Sequence, residues 1–307
     1  MSPSFFLFAL LSVLSTSLIG TLCNTNLLFR FLSRPPKTNG FQKICTVRSF
    51  TNSIICGVYM FWVVPLVMMD WKFSELNNWV NRSIGLASCT WSYFLNSLLQ
   101  VCLSCNRFYV LYFPFGIQRL KSKNVSRYSI IFCIIAITLF SAGAVPKGCG
   151  FVFDPNIFLW RDETLECAGT ISVVIPPIVF STTFITHGFN LAIIIRLIKQ
   201  KSVGVNEQEA RKRRRKWMVM FTQCFIQDCL QLCDMLNSYY ISHFSNDLRL
   251  QFYCWTLSLI LVTMLDGIVM FICHSDVYPN CLKRILERRK GRVLVINNPQ
   301  ISSIVVT

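Results

Sequence analysis

Asp228, Asp234 and Asp266 sit inside stretches of sequence that are otherwise apolar. A carboxylate in such a place can share a proton with a second acid, pair with a cation, or hold the polar part of a ligand. On insertion scales a charge at the centre of a membrane helix costs about 2.5–3.5 kcal/mol, so each of these acids should face another helix or a cavity. Cys89, Tyr93, Asn96, Gln100 and Arg107 recur at helical steps of three and four, as do Gln223, Gln227, Gln231, Asp234 and Ser238. Two polar stripes of this kind make either a ligand cavity or plain interhelical hydrogen-bond glue.

The elements that must carry these residues are read from composition. Of 307 residues 53% are hydrophobic and 14% are charged, against roughly a quarter charged in a soluble domain. Apolar windows at 4–29, 44–69, 83–108, 127–146, 169–195, 217–241 and 250–273 are each long enough to cross a bilayer as a helix. The expected fold is therefore all-α, an integral membrane seven-helix bundle forming one domain over 1–290, with a short cytoplasmic tail over 291–307. The positive charges of the first window follow its apolar run, which marks a retained span and not a secretory signal. Loops on one side carry 25 of the 30 Lys and Arg residues, including the run Arg211 to Lys216, and the other side carries Lys72, Arg82, Lys147, Arg161 and Arg249. That asymmetry puts the N-terminus outside and the C-terminus in the cytosol. The net charge of +16 lies in short runs between spans, where it fits anionic lipid and not nucleic acid.

On this topology Tyr93, Asn96, Gln231 and Asp234 lie towards the outside and are the candidates for a ligand pocket. Asp266 lies deeper, and with Asn24, Asn52 and Asn96 it could form a polar cluster that changes partners between states or one that only packs. Asn81, in the outer sequon Asn81-Arg82-Ser83, is a glycosylation candidate. Cys149 and Cys167 flank an acidic, aromatic outer loop. A bridge between them would stabilise it by about 3 kcal/mol, while Cys89 as partner, or free thiols, remain alternatives. Most other cysteines sit in apolar windows as small hydrophobes. Cofactor and metal are not called for, since His187, His243 and His274 lack the close spacing of a metal-binding helix.

At the inner end of the third span the chain reads Cys105-Asn106-Arg107-Phe108-Tyr109-Val110-Leu111-Tyr112-Phe113-Pro114. This resembles the Asp-Arg-Tyr element of rhodopsin-like G-protein-coupled receptors: Arg107 and Phe108 match its arginine and aromatic, and Leu111 and Pro114 match the apolar residue and proline that follow. The departures are Asn106 in place of the acid, no kink motif in span six, and Asp266-Gly267-Ile268-Val269-Met270 where such receptors carry Asn-Pro-x-x-Tyr. With the Gly148-Cys149-Gly150-Phe151 to Cys167 loop, they make the chain similar to nematode chemosensory serpentine receptors, class x foremost, from about 4 to 290.

The resemblance implies a chemoreceptor of the cell membrane, including the sensory-neuron cilium, with an external small-molecule ligand. It also implies coupling to a heterotrimeric G protein through Arg107 with Asn106, Phe108 and Pro114, and a switch at Asp266 and Gly267. The rival readings are an orphan membrane protein without signalling and a secondary transporter, the latter with intramembrane acids and the broken helices at Pro65 and Pro176-Pro177 lining a path, but no inverted repeat is visible. An aspartyl protease built on Asp234 and Asp266 is disfavoured because neither acid has the Tyr-Asp or Gly-x-Gly-Asp context, so no catalytic residue is assigned.

Overall fold

The structure, a computed structural model of the chain, describes residues 2–33, 40–69, 78–113, 122–144, 149–199 and 207–274. Pro114, the stretch 275–290 and the tail lie outside these residues, and the compact unit ends at Cys273. Among the described residues seven long helices follow one another. Helix α1 is Pro3–Leu32, with Pro3 where its missing N–H goes unused. Helix α2 runs Gly40–Val58 and passes through a π-helical turn, Tyr59–Val63, into Val64–Met68. Helix α3 runs Asn78–Gly85, then π-helical Leu86–Ser92, then Tyr93–Tyr112. Helix α4 is Ser122–Ala144, α5 is Leu165–Lys199 with Pro176 and Pro177 inside it, and α6 is Glu207–Tyr239. Helix α7 starts at Leu248–Gln251, where Asp247 caps it by accepting from Arg249 N at 3.0 Å, and continues through Phe252–Leu257 into Ser258–Cys273.

The bundle is polar inside and apolar outside. Asn24, Ser49, Gln100, Gln227 and Asp266 are buried, while Leu22, Phe29, Phe132, Leu139, Phe184 and Leu191 stand exposed. That inversion suits hydrocarbon as solvent, because buried polar groups bond one another and apolar ones lose nothing by facing lipid. By length and hydropathy five helical stretches qualify as spans, namely Pro3–Leu32, Gly40–Met68, Val125–Gly143, Ile175–Leu197 and Leu248–Cys273. Helices α3 and α6 are long enough too, but they carry the two polar stripes, which lower their mean hydropathy. Helix α3 packs against α2, α4, α5 and α6, and α1 against α2 and α7, so α3 is central.

A β-hairpin closes one end of the bundle. Strand β1, Phe151–Asp154, pairs antiparallel with β2, Leu159–Asp162, with Phe153 opposite Trp160. Asp154 Oδ1 accepts from Asn156 N at 3.0 Å and its Oδ2 lies 3.3 Å from Arg161, which fixes the turn, and Phe158 takes a left-handed φ of 58°. The reason for that strained residue is packing: Phe158 is fully buried, edge-on to Phe6 and Phe252, and its carbonyl accepts from Thr256 at 2.7 Å. Trp160 meets Tyr59 of α2 edge-on, and Arg82 pairs with Glu163.

The hairpin overturns one expectation. Asn81 is fully buried, donating to Phe153 O at 3.0 Å and accepting from Phe153 N at 3.1 Å, so its amide ties α3 to β1 and leaves no room for a glycan. The sequon is a structural clamp and not a glycosylation site.

Candidate functional site

Asp266 of α7 belongs to a polar network that five helices share. Its Oδ2 receives Arg48 Nε at 2.8 Å and Asn52 Nδ2 at 2.5 Å, both from α2, and its Oδ1 receives Gln227 Nε2 of α6 at 2.7 Å. Asn24 of α1 donates to the Thr263 carbonyl at 3.4 Å and accepts from Asn52. Asn96 of α3 donates to Asn52 Oδ1 at 2.7 Å and accepts from Thr51. Gly267 makes the approach of α1 possible, because a Cβ there would lie 2.6 Å from the Asn24 amide. The expected grouping of Asp266 with Asn24, Asn52 and Asn96 is therefore present, joined by Arg48 and Gln227. Arg48 and Asp266 form a buried ion pair, which holds together because further hydrogen bonds satisfy the carboxylate.

The expected pocket residues divide. Tyr93 Oη donates to Asp234 Oδ2 at 3.0 Å, and Ser258 donates to Asp234 Oδ1 at 2.8 Å, so this acid is spanned by α3 and α7. Asn96 belongs to the Asp266 network instead. Gln231 donates to Ser97 Oγ at 2.6 Å and lines a cleft between α3, α5 and α6 with Gln100, Thr183, Thr186, His187 and Asp228. Asp228 accepts there from Gln100 of α3 and Asn190 of α5. The cleft holds about 10 Å³, the space one water molecule requires.

At the opposite end of α3, Arg107 is buried at 3% exposure, and among the described residues none of its three guanidinium nitrogens has a hydrogen-bond partner. The ring of Phe41 on α2 lies 4.8 Å from its Cζ. A narrow cleft of about 10 Å³ beside it is lined by Leu111, Ile193, Leu197, Met220 and Phe221 from α3, α5 and α6. Phe108 stacks on Tyr112 at 4.4 Å and leans on Phe189 of α5, which fixes the helix face that points Arg107 inward. Asn106 is half-buried in the same turn.

Cys149, beside β1, is disulfide-bonded, and Cys89 is a free thiol. The side chain of Cys167 lies outside the described residues. Among the described residues no three His, Cys, Asp or Glu side chains come together as a metal-binding group.

Residues 14–274 match the family described as serpentine type 7TM GPCR chemoreceptor Srx. The chain is also similar to the Caenorhabditis elegans protein named Serpentine receptor class X 45, with 25% identity over 288 residues, covering 87% of this chain and 79% of that protein.

Proposed function

Because the chain belongs to the serpentine type 7TM GPCR chemoreceptor Srx family, a class of multi-pass membrane receptors and not of enzymes, we propose that it converts binding of an external small molecule into activation of a heterotrimeric G protein through Arg107. The N-terminus is outside, the basic loops contact the G protein and anionic lipid in the cytosol, and the receptor works in the cell membrane of a sensory neuron, its cilium included. A Cys149–Cys167 bridge ties the outer hairpin to the start of α5.

The observation that carries this reading is the state of Arg107. A buried guanidinium with no acceptor is costly to hold, since its desolvation is offset by little more than one aromatic face. The C-terminus of a helix presents carbonyls without intrahelical partners and a partial negative charge. A partner helix ending in the cleft beside Met220 and Phe221 would satisfy both sides at once. The cleft is too narrow for it here, so α6 must part from α3 and α5 on activation. A ligand favours that parting only by binding the open arrangement more tightly than the closed one. The Asp266 network crosses α1, α2, α3, α6 and α7, and exchanging partners within it is the means by which the ligand end and the Arg107 end are coupled.

The test uses cells expressing the receptor, challenged with chemical mixtures and read by calcium or cyclic nucleotide. Arg107→Ala, matched for surface amount, is expected to lose the evoked response. A full response from that variant would remove Arg107 from the mechanism.

A further inference from the structure

We propose that the cleft between α3, α5 and α6 is a binding site for a small protonated primary amine, with Asp228 as its counter-ion and Gln100 as a second acceptor. Asp228 is 2% exposed, and no basic side chain forms an ion pair with it among the described residues; the ion pairs there are Arg48–Asp266, Arg82–Glu163 and Arg161–Asp154. Its oxygens are held by the amide groups of Gln100 and Asn190 alone. Gln100 Nε2 donates to the carboxylate and to the Cys224 carbonyl at 3.5 Å, Asn190 Nδ2 donates to the carboxylate, and the amide oxygens, Gln100 Oε1 and Asn190 Oδ1, are buried without a donor among the described residues.

The hydroxyl groups of the rest of the wall are engaged elsewhere. The hydroxyls of Thr182, Thr183 and Thr186 donate at 2.8 Å to carbonyls of their own helix, at Val179 and Thr182. Ser97 donates to the Tyr93 carbonyl at 3.3 Å, and Gln231 is engaged with Ser97. His187 Nδ1 lies 2.9 Å from the Thr183 carbonyl, which can only accept, so in the neutral ring Nε2 is a bare lone pair. The cleft thus presents oxygen and nitrogen lone pairs around a buried carboxyl group that makes no ion pair among the described residues. A buried acceptor without a donor is expensive. A primary ammonium group brings one positive charge and three N–H donors, and it is close to the size of the water molecule that the void of about 10 Å³ admits. Its organic tail has no such space and must part α6 from α3 and α5, the same three helices that line the Arg107 cleft. The assignment rests on the proposed receptor function only for what binding then causes.

The test is thermal unfolding of the full chain in lipid nanodiscs titrated with butylamine, against 1-butanol and butyrate at matched sodium chloride. Butylamine is expected to raise the unfolding midpoint saturably, and the alcohol and the acid are not. Asp228→Asn should weaken the apparent affinity more than about tenfold, as loss of a charge-assisted hydrogen bond implies. Gln100→Met should weaken it too, and serves if Asp228→Asn does not fold. An equal shift with 1-butanol, no saturable shift with butylamine, saturation by sodium alone, or an unchanged affinity in the variants that fold would each overturn the site. Parallel nucleotide-exchange measurements separate the two readings. Amine binding without exchange leaves the site standing and counts against G-protein coupling, whereas Arg107-dependent exchange without an amine effect does the reverse.

Discussion

Arg48 and Asp266 are both buried, and among the described residues each is the other's only counter-charge within hydrogen-bond reach. Arg48→Met is expected to cost about 3–5 kcal/mol by leaving a buried carboxylate uncompensated, and Arg48→Met with Asp266→Asn should recover much of that, read by unfolding in nanodiscs. Asp162 offers a pH-dependent counterpart outside the membrane. Burial pushes its carboxyl above the usual value, and its Oδ1 has no partner. Above the unfolded value of about 3.9 the unfolded chain has lost a proton that the folded hairpin still holds, so this group's contribution to stability falls as pH rises through the folded pKa. Asp162→Asn should therefore raise the unfolding midpoint at pH 7, with the gain gone below about pH 4. At this scale the sequence shows that Asp266 needs partners and that Asn24, Asn52 and Asn96 are near it. Arg48 escapes notice because an arginine four residues into a span reads as a topology signal, and only the packing of α2 on α7 turns it inward. Asp228 is legible as a costly acid, but the acceptors around it come from α3 and α5, whose rotation no periodicity fixes.

Among the elements, the hairpin is the least legible. Two four-residue strands around Pro155 are too short for a period of two to stand out, and the buried left-handed residue is Phe158 and not glycine. The π-helical stretch Leu86–Ser92 also breaks the counting of α3. Cys89, placed by spacing on the stripe of Tyr93, packs instead against the apolar cluster containing Tyr59 and Trp160. Asn96 likewise turns to α2 while Tyr93 and Gln100 turn to α6. Gly85→Ala should unseat the hairpin, because a Cβ there would collide with the Phe151 carbonyl and meet Trp160 at 2.8 Å. A loss of about 1–3 kcal/mol is expected, seen as a lower unfolding midpoint. Asn81→Ala should cost at least as much by leaving the N–H and C=O of Phe153 unpaired. Endoglycosidase treatment of the wild-type protein should not change its electrophoretic mobility through Asn81.

For the molecule as a whole, the inversion of polarity is what the sequence reveals best, since length and hydropathy mark five of the seven long helices as spans, and α3 and α6 stand apart only by their polar stripes. The bundle then has two narrow clefts, one around Asp228 and one beside Arg107, both lined by α3, α5 and α6. On the mechanism proposed above, one opening motion of α6 widens both, and a ligand at the first governs access to the second. The most direct test of that account is guanine-nucleotide exchange on a heterotrimeric G protein by purified receptor in nanodiscs, comparing wild type with Arg107→Ala. The account predicts receptor-dependent exchange that Arg107→Ala abolishes while its unfolding midpoint stays the same or rises, because an unpartnered buried charge has been removed. Equal exchange by the two proteins would contradict it.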